Sequence, residues 1–146
     1  MRFLAMYALL LLAACGGRPD TAAAPAPATD RIVQARQFWS RFQAAVAATD
    51  STQLLAMVRV PLELRGQLDS DPPRSLDVAQ VQANLPALLD TDSGLAPTGQ
   101  SMRALVRDTT TDQFTAHVEN DTARLGSFVF AWSNGHWLLV RVYQEN

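Results

Sequence analysis

Residues 128–143 read Phe128-Val129-Phe130-Ala131-Trp132-Ser133-Asn134-Gly135-His136-Trp137-Leu138-Leu139-Val140-Arg141-Val142-Tyr143, and this stretch decides the fold class. Asn134-Gly135 suits a two-residue hairpin turn, because both central positions of that turn need positive φ. The flanking residues are the aromatic and β-branched types that favour strands. Centring the turn there faces Trp132 with Trp137, Phe130 with Leu139, and Phe128 with Arg141. Two readings of the resulting face stand. It is a core packed on Trp39 and Phe42, with Arg141 snorkelling to water. Or it is an apolar pocket lined by Trp39, Phe42, Phe128, Phe130 and Trp137, where Arg141 orients an anionic ligand.

Upstream of the hairpin the chain keeps reading as sheet. Residues Met102–Asp108 and Gln113–Glu119 alternate apolar with polar, Asn120-Asp121 suits a turn, and Arg124–Trp132 predicts one long strand. Further back the period changes. Ile32, Ala35, Phe38, Trp39, Phe42, Ala45 and Val46 recur at three and four residues, an amphipathic helix capped by Thr29 or Asp30. Asp50 with Gln53 reads as a capping box opening a short helix through Met57. Val58, Val60, Leu62 and Leu64 alternate with Arg59, Pro61, Glu63 and Arg65, a half-buried strand in which Pro61 demands an edge or a bulge. Gly66 and residues 69–73 read as loop. Ser75 suits the cap of a third helix carrying Val78, Val81, Leu85, Leu88 and Leu89, and Pro86 should kink or restart it. Residues 92–94 and 96–99 read as loop. Three N-terminal helices packed on a curved, mostly antiparallel sheet is an α+β order, in one domain over residues 30–146.

The beginning of the chain carries an address. Arg2, an uncharged apolar run from Phe3 to Leu12, and then Leu12-Ala13-Ala14-Cys15 have the three parts of an export signal. The run is shorter than the ~20 residues a spanning helix needs. Leu12-Ala13-Ala14-Cys15 resembles the lipobox of bacterial lipoproteins, a family cleaved before the cysteine and acylated on it. The resemblance implies a signal peptide over 1–14, a lipid on Cys15, and a membrane partner reached through that anchor. Gly16 rather than Asp after the cysteine implies the outer membrane, facing the periplasm. Cys15 is the sole cysteine, so no disulfide staples the domain. Residues 15–29 join the lipidated Cys to an Ala/Pro tether with polyproline II character. The net charge is −2, and all twelve basic residues are Arg without clustering, which supplies no footprint for nucleic acid. Two isolated histidines with the one cysteine assigned to lipid make no metal-ligand spacing. No phosphate loop or nucleophile motif calls for a cofactor.

The stretches Phe38–Val46, Asp50 with Leu54-Leu55, and Val60-Pro61-Leu62 resemble the opening of nuclear-transport-factor-2-like domains, also called SnoaL-like. The closing Phe128–Trp132 and Asn134–Leu139 resemble the end of those domains. The resemblance implies a curved sheet wrapped on a long helix, with a pocket at the open end. It also implies where catalysis would sit, on an Asp, His or Tyr inside the cone. Asp50, Glu63, His117, Tyr143 and Arg141 are the candidates. Capping accounts for Asp50, solvent for Glu63, a wet sheet face near Arg103 for His117, and an exposed hairpin tip for His136. The expectation is a non-catalytic, lipid-anchored binding or accessory module that takes a small apolar or anionic ligand or an envelope protein. The alternatives are a small-molecule isomerase or dehydratase, or an inhibitor or immunity lipoprotein.

Overall fold

A computed structural model describes residues 28–66, 68, 71–95 and 99–144. The signal, Cys15 and most of the tether lie outside the described residues. The helices are α1 (Ala28–Ala48), α2 (Ser51–Ala56), α3 (Val78–Asp90), α4 (Met102–Asp108) and α5 (Thr111–Ala116). The strands are β1 (Val58–Arg65), β2 (Arg74–Leu76), β3 (Val118–Glu119), β4 (Thr122–Leu125), β5 (Phe128–Ser133) and β6 (His136–Tyr143). They form one sheet in the order β2-β1-β6-β5-β4-β3. Every pairing is antiparallel except β1 with β6, which is parallel. This is α+β with a curved, mostly antiparallel sheet, an architecture consistent with the nuclear-transport-factor-2-like fold.

The core forms where the stripe of α1 meets the inner face of the sheet. Phe38, Trp39 and Phe42 are buried together with Phe114, Phe128 and Phe130. Trp39 stacks on Phe114 with centroids 4.2 Å apart and planes 4° from parallel, and Phe130 meets Trp39 edge-on at 5.9 Å. Such pairs add ~0.5–1.5 kcal/mol each beyond their area burial. The Trp39 indole donates to the Thr109 carbonyl at 3.0 Å, and the Trp137 indole donates to the Arg31 carbonyl at 3.0 Å. Both polar edges are thereby satisfied inside the packing.

Several sequence expectations are corrected. Met102–Asp108 and most of Gln113–Glu119 are helices, not strands, and only Val118-Glu119 remains in the sheet. Met102, Leu105 and Val106 face the core as i, i+3 and i+4, a pattern that seven residues cannot separate from alternation. Ser101 caps α4, and Thr110 with Gln113 forms a full capping box on α5. The long strand predicted over Arg124–Trp132 is broken at Gly126, whose φ is +55°. The third helix is capped by Asp77 rather than Ser75, which lies in β2. That helix runs through Pro86 unbroken to Asp90. Pro86 and Gln82 are exposed, so the carbonyl that the proline deprives of its bond sits on the wet side. Meanwhile Leu85, Leu88 and Leu89 hold both halves to the core. Pro61 lies at a bulge inside the sheet, between Val58 and Glu63 in the β1–β6 register.

Candidate functional site

The hairpin register is as expected at the turn and shifts beyond it. Trp132 pairs with Trp137 and Phe130 with Leu139, but a bulge after Val129 pairs Phe128 with Val142 and Val129 with Arg141. The extra residue turns Arg141 to the opposite face from Phe128 and Phe130. There Glu63 takes it, with the Arg141 Nη2 2.9 Å from Glu63 Oε2, and Arg65 pairs with the same carboxylate. Hydrogen bonds from Arg65, then from Arg141, hold the Glu63 carboxyl below its ordinary value against its burial. Arg141 is raised by Glu63 and by its neighbour Tyr143. This cation already has its counter-charge. Trp39, Phe42, Phe128, Phe130 and Trp137 fill the core.

The residues that do surround open space belong to a different part of the fold. A cleft of about 540 Å³ opens where the α3–α4 connection, the end of α5, the β4–β5 turn and the end of β6 converge. Gly126 makes this convergence possible. A Cβ there would stand 2.8 Å from both the Met102 sulfur and the Ser93 carbonyl oxygen, closer than side-chain atoms approach. The positive φ independently favours glycine. The β4–β5 turn can therefore lie against the α3–α4 connection and α4.

Three polar groups of the cleft matter chemically. Arg124 uses its Nε to donate to the Gly126 carbonyl at 3.2 Å. Its guanidinium carbon lies 4.6 Å from the centre of the Tyr143 ring. The terminal nitrogens of Arg124 donate to none of the described residues. Ser127 is only 7% exposed, and its Oγ is buried without a hydrogen-bond partner among the described residues. Such a group costs free energy unless something satisfies it. Asp92 is the carboxylate of the lining, and it is engaged by its own loop, accepting from the Gly94 and Gly99 backbone N–H at 2.8 and 2.7 Å.

His117 and Tyr143 are the sequence candidates that reach this cleft. His117 is the C-cap of α5 rather than a sheet residue beside Arg103, which lies in α4 and pairs with Asp90. His117 and Arg124 both line the cleft. Asp50 caps α2 through the Gln53 N–H. Arg124, Gly126 and Ser127 were legible in one respect. Gly-Ser between two strand-like runs is a hairpin signal, here masked by reading residues 124–132 as continuous. A second groove, about 490 Å³, runs along α1 and α4 beside Arg103 and Arg107. Both of its cations are paired, with Asp90 and Asp108.

No known protein family, curated protein or solved structure matches this chain significantly.

Proposed function

We propose that this chain is a lipid-anchored envelope protein, held at the outer membrane through Cys15 and facing the periplasm, whose domain binds a small molecule without transforming it. The observation that carries the binding reading is the preformed cleft beside Arg124, whose terminal nitrogens donate to none of the described residues. Its volume lies within the ~300–1,000 Å³ typical of ligand pockets. Binding is favoured over catalysis by the state of the acids. Asp92 is occupied by two backbone N–H groups. Glu63 is paired with arginines on the outer face of the sheet. Neither is a free base next to an acid partner. The anchor is supported by Leu12-Ala13-Ala14-Cys15. In addition, no helix among the described residues is long and apolar enough to cross a membrane.

Two experiments test this function. Cys15→Ser should move the protein from the detergent-extracted membrane fraction to the soluble one, and an unmodified thiol in the intact mass of the wild type would refute the anchor. A fragment screen by NMR on the soluble domain should give hits that shift the amide signals of Gly126, Ser127 and Tyr143. Hits confined to the α1–α4 groove would refute the cleft.

A further inference from the structure

We propose that the ligand of the Arg124–Ser127 cleft is a small organic carboxylate with an apolar body. This inference rests on the cleft being a binding site and adds the chemistry of what enters it.

Arg124 sets the charge. A guanidinium has five N–H donors in a planar fork, and here one is spent on the Gly126 carbonyl. The remaining four, on the terminal nitrogens, have no partner among the described residues. The Nε bond and the Tyr143 ring at 4.6 Å restrain the plane of the fork, so less rotamer freedom is lost when it pairs with a ligand. Two terminal N–H groups in one plane match the two oxygens of a carboxylate. The backbone of Gly126 and Ser127 lines the same cleft, while the Ser127 Oγ is buried beneath it. His117, in the same lining, carries a ring N–H that can donate.

The rest of the lining selects among anions. Asp92 lies in the same cleft, and its negative charge opposes a dianion such as phosphate more than a monoanion. Leu95 and Leu125 form apolar wall, and Leu95 is a 42% exposed large side chain that an apolar ligand body would cover. Arg141, by contrast, cannot serve an exogenous anion without giving up Glu63.

The test titrates the soluble domain, by NMR, with hexanoate, hexanamide and inorganic phosphate. Hexanoate should shift the Gly126 and Ser127 amides and the Arg124 Nε–H signal. It should bind about tenfold tighter than hexanamide, the scale of one charge-assisted pair. Arg124→Gln, at an exposed position, should abolish that preference while leaving the fold intact. Equal binding of hexanoate and hexanamide in the cleft would overturn the carboxylate and leave the binding site standing. Phosphate displacing hexanoate would do the same. If no probe shifts a cleft signal, both the carboxylate and the cleft fall.

Discussion

Ser127→Ala should stabilise the free domain. Few serine-to-alanine changes at buried positions are expected to do so, which makes the sign informative. The Ser127 Oγ is buried and makes no hydrogen bond among the described residues. Folding therefore strips the hydroxyl of water and returns nothing, at a cost of about 1–3 kcal/mol. Alanine keeps the Cβ and the turn backbone, including the carbonyl that accepts from the Tyr143 N–H at 2.8 Å. The loss is one oxygen's dispersion contacts, worth a few tenths of a kcal/mol. The net expectation is a gain of about 1 kcal/mol, or roughly 3–5 °C in Tm for a domain of this size. Urea denaturation of both proteins, with unchanged m-value, measures it directly. A destabilisation of more than about 0.5 kcal/mol would show that the hydroxyl is satisfied in solution and would remove Ser127 from the site.

Three further outcomes follow from the packing. Trp39→Ala should cost about 4 kcal/mol, since the ring is fully buried and stacked on Phe114. The Thr109 carbonyl keeps its Gln43 donor at 2.8 Å, so the loss is packing rather than an orphaned acceptor, and a calorimetric loss below about 2 kcal/mol would contradict the stacking. Gly126→Ala should cost at least about 2 kcal/mol, combining left-handed strain with the 2.8 Å approach to the Ser93 carbonyl; Gly135→Ala, where a Cβ meets nothing, should lose only the strain, and equal losses by urea unfolding would refute the close approach. Glu63 titrates below its ordinary 4.5 because Arg65 and Arg141 hold its charged form, so its contribution is fully present above about pH 4.5 and drains away as pH falls through the lower folded value. Glu63→Gln should therefore flatten the decline of urea midpoints below about pH 4.5, and an unchanged slope would mean that the carboxylate is not paired in solution.

The α+β class, the stripe of α1 and the turns at Asn120-Asp121 and Asn134-Gly135 were legible because each is a local rule. Positive φ at all four turn residues, the cap of Asp50 on α2 and the i, i+3, i+4 spacing of Ala35, Phe38 and Trp39 depend on neighbours a few residues away. The helices α4 and α5 are not legible because their apolar alternation is as good a strand as a helix over six or seven residues. The Thr110–Gln113 capping box was the overriding signal. The site was out of reach for a different reason. An unbroken ladder puts Arg141 on the aromatic face, and a single bulge between Val129 and Phe130 reverses it. On its other edge β6 pairs in parallel with β1, with residues some eighty positions away in the chain. Likewise, nothing near Ser127 in the chain says that its hydroxyl lacks a partner. The α3–α4 connection arrives against the neighbouring Gly126, and only the folded chain brings those two segments together.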